Sequence, residues 1–140
     1  MVAGNSKSLA FNEAFVWTAN DGMVGLGSLG GNESVATDIN DKGQIVGWSE
    51  SGGRYPQVAF VWQNGQMFDL NRITEGAGGK KWIQIASGIN DEGHIVGYGL
   101  HEGETRAFLL IPEPTTLSLL VFAALTMACK RPRWRRGERR

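Results

Sequence analysis

The sequence predicts an all-β protein of four-stranded antiparallel repeat units, followed by one C-terminal transmembrane helix. Three observations carry that expectation. The chain repeats itself up to about residue 111, with Phe15 and Phe60 matching at a spacing of 45 and Ile39 and Ile89 at a spacing of 50. Within each period, short runs of β-branched and aromatic residues alternate with Gly, Asn and Asp, the composition of strands and tight turns. From Thr115 to Cys129 no residue is charged, and cations dominate from there to Arg140. No apolar pattern of helical period appears before Thr115.

The elements follow in chain order. VAGNSKSLAFNEAFVW (2–17) aligns with IVGWSESGGRYPQVAFVW (45–62) and IVGYGLHEGETRAFLL (95–110). The chain therefore opens inside a repeat, with Met1 standing where the later copies have Gln44 and His94. In the second unit, strands are expected over 35–40, 44–49, 57–62 and 66–70. Asp41-Lys42-Gly43 reads as the first turn. Asn64-Gly65 between apolar runs is a strong two-residue hairpin signal. In the third unit, strands are expected over 83–90, 94–99 and 106–111. SVATDINDKGQ (34–44) and QIASGINDEGH (84–94) align directly, setting Asn40 on Asn90 and Gly43 on Gly93. The recurrent glycines Gly4, Gly47 and Gly97 are read as marking a bulge or a close backbone approach.

Four strands in 45–50 residues is the size of a β-propeller blade. A closed propeller takes roughly four to eight blades, and this chain holds two and a fraction, so closure is not expected. The repeat region is expected to be incomplete at its N-terminus. That also accounts for MVAGNSKSLAFNEAF, which lacks the apolar core of a signal peptide. The competing expectation is a small open sheet, with the long unpaired edges that native proteins usually block.

The tail has three parts in order: Pro112-Glu113-Pro114, the uncharged run 115–129, and the basic end 130–140. Leu117, Leu119, Leu120, Val121, Phe122 and Leu125 supply most of the apolar surface of the run. As a helix its fifteen residues would cover about 22 Å, short of a bilayer core of about 30 Å. Lys130, Arg131 and Arg133 have stems long enough to snorkel to headgroups. With Arg135 and Arg136 they form a stop-transfer cluster, which places this end in the cytoplasm and residues 1–111 outside it. Pro112 and Pro114 cannot sit inside a regular helix, so the helix is expected after them. A buried core helix with a solvated basic tail, and a nucleic-acid-binding arm, are the alternative readings of this stretch.

The neutral average charge conceals a division. Seven of the fourteen cations and one of the fourteen acids lie in 130–140, so that end carries +6 and residues 1–129 carry −6. An acidic, Gly-rich body has no electrostatic reason to seek nucleic acid. Cys129 is the only cysteine, so no disulfide forms within the chain. His94 and His101 have no partner ligands at zinc spacing. The Asn-Asp-x-Gly segments at 40–43 and 90–93 read as turns and not as calcium loops. Asp38, Asp69 and Glu75 show no spacing that compels acid–base pairing, and residues 25–31 lack the Lys and helix of a phosphate loop. No catalytic residues, metal site or cofactor are expected, and the function is expected to be non-enzymatic. Trp48 and Tyr98 occupy equivalent places after the repeat glycines. If outward-facing, they would offer aromatic surface on which a sugar ring could stack.

Two resemblances follow from these residues. Ala59-Phe60-Val61-Trp62 with Met67-Phe68-Asp69-Leu70, Leu26-Gly27-Ser28-Leu29-Gly30-Gly31, and the Ile-Asn-x-x-Gly-x-Ile-Val-Gly stretches resemble the bacterial HAF repeat over about residues 1–111. That resemblance implies an extracellular β-repeat protein with no established chemistry. Residues 112–140 resemble the PEP-CTERM protein-sorting signal of Gram-negative bacteria. The motif is 112–114, the transmembrane helix is 115–129, and the basic cytoplasmic tail is 130–140. The short helix is the one departure from that pattern. The resemblance implies recognition by an exosortase-type sorting enzyme, an inner-membrane anchor, and later release or transfer to the cell surface. The expected function is thus that of an exported cell-envelope or matrix protein associated with exopolysaccharide. The alternative is a carbohydrate- or protein-binding module tethered to the membrane.

Overall fold

The computed structural model describes residues 1–7, 11–53, 55–74 and 81–112, together with the backbone of Leu125–Met127. The chain is mostly β and forms three antiparallel sheets, none closed into a barrel. The first holds β1 (Val2–Lys7), β2 (Asn12–Thr18) and β3 (Gly22–Gly25) in that order. The second holds β4 (Gly30–Ile39), β5 (Ile45–Ser51), β6 (Gln57–Gln63) and β7 (Gln66–Asp69), followed by α1 (Leu70–Ile73). The third runs β8 (Lys81–Ile89), β9 (Ile95–His101), β10 (Glu104–Pro112), with β11 (Leu125–Met127) beside β10. The first two sheets are simple meanders, and β8 to β10 of the third follow one another in the same way, as expected when short connections join consecutive strands.

The repeat alignment is reproduced as register. Gly47 pairs with Phe60 and Gly97 with Phe108, while Gly4 pairs with Phe15. Gly47 and Gly97 are places of close backbone approach. A Cβ on Gly47 would fall on the carbonyl oxygen of Val35, and one on Gly97 on that of Ile85. The register shifts that follow Ala36 and Ala86 mark bulges at the same points. At the tip of the β6–β7 hairpin, Asn64 and Gly65 both take positive φ, 52° and 79°, as a type I′ turn requires.

Two features differ from the expected elements. β4 starts at Gly30 and β8 at Lys81, both earlier than expected. Residue 70, expected to end a strand, opens α1 instead. The Asp69 carboxylate accepts the Asn71 N–H at 2.8 Å and Thr74 N–H donates to Leu70 O at 3.1 Å. An aspartate N-cap thus turns the chain, and one turn is too short to leave a periodic signal.

Sheet packing gives two apolar layers. Ala14, Val16 and Leu26 of the first unit meet Ile45 and Phe60 of the second sheet. The other face of the second sheet, through Val46, Ala59, Val61 and Leu70, meets Ile83, Ala86, Ile89, Ile95 and Leu110 of the third. The middle sheet is therefore buried on both faces, and Val58 to Val61 form an unbroken buried run, as in any strand with both faces covered.

The first strand of each later sheet is also bonded to the sheet before it. From β4, Ala36 N–H donates to Asn5 Oδ1 at 2.8 Å, and Ser34 Oγ accepts the Ala14 N–H at 3.0 Å. Toward β8, Thr37 Oγ1 donates to Ala86 O at 2.6 Å and Asp38 Oδ2 accepts the Ile89 N–H at 2.8 Å. Beyond the strand ends, Asn40 Nδ2 donates to Asn90 O at 3.0 Å and Asp41 N–H to Asp91 Oδ1 at 2.8 Å.

Among the described residues no helix is long and apolar enough to cross a membrane. Of the helix expected over 115–129 only Leu125–Met127 is described, and its backbone there is the strand β11; the rest of that helix and the basic end 130–140 lie outside the described residues.

Candidate functional site

Trp48 and Tyr98 stand at matching positions in neighbouring sheets, opposite Ala59 and Ala107. Their surroundings differ. Trp48 shares its face with Val46, Ala59 and Val61, the face covered by β8, and is half-buried. Tyr98 lies on the corresponding face of the third sheet with Val96 and Leu109. All three are substantially exposed, at 42%, 46% and 38%. Of the two aromatics, Tyr98 is the one on an open apolar platform.

A second aromatic feature was not visible from the repeats. Tyr55, in the β5–β6 loop, stacks on Trp82 of β8 with ring centroids 3.8 Å apart and planes at 25°. Trp82 Nε1 donates to Gln57 O at 2.9 Å, which fixes the indole. The pair forms one wall of a recess of about 750 Å³ whose other walls include Met67, Phe68, Asp69 and Arg72. Tyr55 and Trp82 belong to different units, so no repeat spacing relates them. The Tyr-Pro step at the loop was the only local cue.

The polar groups around the recess are largely committed to structure. Asp69 caps α1. The Asn71 carboxamide bridges to β8, donating to Ile83 O at 2.9 Å and accepting the Ile83 N–H at 2.7 Å. Arg72 approaches Asp69 at 4.0 Å with its side chain 85% exposed, leaving its donors to solvent at the rim. An aromatic wall beside an exposed guanidinium suits a hydroxyl-rich ring, which presents an apolar face and polar edges.

The Asn-Asp-x-Gly segments are turns. Asn40 Oδ1 accepts the N–H groups of Lys42 and Gln44 at 3.1 and 3.0 Å. Asn90 Oδ1 accepts those of Glu92 and His94 at 3.1 and 2.9 Å. Gly43 and Gly93 take positive φ, 76° and 81°. The asparagine oxygens are thus turned inward on the backbone. Among the described residues no three His, Cys, Asp or Glu side chains gather as a metal site.

Of the residues expected to form a sorting motif, Pro112 ends β10, where its backbone pairs with Leu125. Glu113 and Pro114 lie outside the described residues, as do the side chains expected to form the basic cluster and the anchor from Leu117 to Leu125. Comparison of the chain with protein-family models, with curated proteins and with solved structures finds no match.

Proposed function

We propose that this is a non-enzymatic, exported cell-envelope protein, carried to its place by its C-terminal tail. The observation that carries the reading is the order Pro112-Glu113-Pro114, an uncharged run to Cys129, and seven cations against one acid at the terminus. An apolar run abutting a basic cluster is the physical form of a retained membrane segment. Its resemblance to a PEP-CTERM signal adds an exosortase-type enzyme as the partner. The acidic, β-rich repeat region would then face away from the cytoplasm as blade-like units of the HAF type.

The test is fractionation in a Gram-negative host that carries an exosortase, with the chain expressed behind a cleavable secretion signal. The full chain is expected in the membrane fraction, then in a processed form at the surface or in the medium. Replacing Pro112, Glu113 and Pro114 by Ala should leave an unprocessed membrane form. Deleting 112–140 should release the repeat region into the periplasm. Identical fractionation of all three would refute the reading.

A binding role for the repeat region is favoured by the recess beside Tyr55 and Trp82, where an exposed Arg72 borders an aromatic wall. Retention of the full chain on immobilised exopolysaccharide, lost in Trp82→Ala and kept in Tyr98→Ala, would place binding there. The opposite pattern would place it on the platform around Tyr98.

A further inference from the structure

The polar side chains that line the recess beside Tyr55 and Trp82 are not equally available to a ligand. Ser51 Oγ donates to Tyr55 O at 2.7 Å. Both ends of the Asn71 carboxamide are held by Ile83, at 2.9 and 2.7 Å. Trp82 Nε1 is held by Gln57 O, and Asp69 Oδ1 accepts the Asn71 N–H. Arg72 is the exception. Its ion-pair contact among the described residues is Nε to Asp69 Oδ2 at 4.0 Å, beyond hydrogen-bond reach. Nη1 and Nη2 lie farther still from that carboxylate, and the side chain is 85% exposed. The group left for a ligand is thus the outer fork of one guanidinium.

That group decides what kind of ring the recess suits. A guanidinium carries donors and no acceptor, and its planar fork matches the two oxygens of a carboxylate. The aromatic wall is held in place, since the Tyr55 and Trp82 rings stack at 3.8 Å. Gly30, Gly52 and Gly53 also line the recess and put no side chain in the way of a ring. A volume of about 750 Å³ is ample for a sugar unit. Charge sets a limit in the other direction. Residues 1–129 carry −6, which repels a dense polyanion at long range. One free fork on an acidic body suits one carboxylate.

We propose, building on the binding role given above to this recess, that it takes a sugar ring bearing a single carboxylate, a uronate unit within an otherwise neutral glycan. The apolar face of the ring would pack on Tyr55 and Trp82. The carboxylate would pair with Nη1 and Nη2 of Arg72, while Asp69 stays on the Nε side.

The probes are disaccharides ending in glucuronate, galacturonate or mannuronate, each matched by the neutral disaccharide of the same linkage. They are titrated calorimetrically into the full 140-residue chain in a mild detergent. At least one acid form is expected to bind roughly tenfold tighter than its neutral match. Arg72→Gln, at an exposed position, should bring the acid form down to the neutral level with an unchanged circular dichroism spectrum. Trp82→Ala, and Tyr55→Ala as the check on folding, should remove binding of both forms. Equal affinity for acid and neutral forms, lost in the aromatic variants, would overturn the carboxylate preference and leave the recess as a binding site. Acid preference that survives Arg72→Gln would overturn the role of the fork. No binding of any probe, or binding indifferent to both aromatic variants, would overturn the proposal together with the binding role it builds on.

Discussion

A β-carbon on Gly97 would meet the carbonyl oxygen of Ile85 and, at 2.7 Å, the ring of Phe108. Neither the strand backbone nor the packed ring can withdraw without disturbing a ladder. Gly97→Ala should therefore destabilise the fold by roughly 2–4 kcal/mol, as overpacking against backbone does. Gly103 offers the internal comparison. It has φ of 84° and nothing within 4 Å of a built Cβ, so Gly103→Ala should cost only about 1 kcal/mol of backbone strain. Urea unfolding of the two variants measures the difference, and equal midpoints would show that the close approach at Gly97 relaxes freely. The role of Gly97 was legible in the sequence because it recurs after the same Val in the same place as Gly47. The Tyr55–Trp82 stack was not, since it joins a loop of one unit to a strand of the next and no spacing encodes it. Trp48 and Tyr98 show a related limit. The alignment placed them equivalently, but their exposure depends on whether a further sheet covers that face.

At the level of single elements, the two Asn-Asp-x-Gly turns are the same structure in different surroundings. Each asparagine oxygen accepts two backbone N–H groups of its own turn. Asn40 is buried, and its amide also donates to Gln44 Oε1 at 2.6 Å and to Asn90 O in the next sheet at 3.0 Å. Asn90 is exposed. Asn40→Ala should then cost roughly 2–4 kcal/mol, because it leaves buried groups without partners. Asn90→Ala should cost about 1 kcal/mol, the value of exposed turn bonds. Thermal unfolding followed by circular dichroism checks the order, and a larger loss for Asn90→Ala would contradict it. Strands and hairpin turns were readable from the sequence because β-branched runs and Asn-Gly steps act locally. The starts of β4 and β8 and the turn at α1 were not. They are set by capping at Asp69 and by pairing along Gly30 and Lys81, where the residues themselves carry no strand preference.

For the whole molecule, the arrangement of the core predicts how stability is distributed. Two separate apolar layers, one on each side of the middle sheet, join the three units. The first and third sheets share no layer, so each depends on the middle sheet and not on the other. Stability in such an array is a sum of unit and nearest-neighbour terms. Phe60 faces the first sheet and is fully buried among Ala14, Val16 and Leu26. Ile83 faces the middle sheet from the third, among Val46, Val61 and Leu70. Phe60→Ala should remove roughly 3–5 kcal/mol from the first junction, and Ile83→Ala roughly 2–4 kcal/mol from the second. Native-state hydrogen exchange separates the two. Phe60→Ala should speed exchange in β1 to β3 while β8 to β10 keep most of their protection, and Ile83→Ala should do the reverse. A uniform rise across all three sheets in both variants would mean that the molecule opens as one cooperative unit. The inter-sheet bonds at Thr37, Asp38 and Asn40 would then couple the sheets more tightly than the apolar layers alone. The polarised outcome is favoured because the two junctions share no apolar layer, and because the second also carries the bonds of Asn40 and Asp41 to the next turn. Among the described residues, the polar links of the first junction include those of Asn5 and Ser34, of Leu29 with Ser49, and of Asn12 with Glu33, and the Asn5 and Asn12 contacts lie at exposed or half-buried positions where water competes for them.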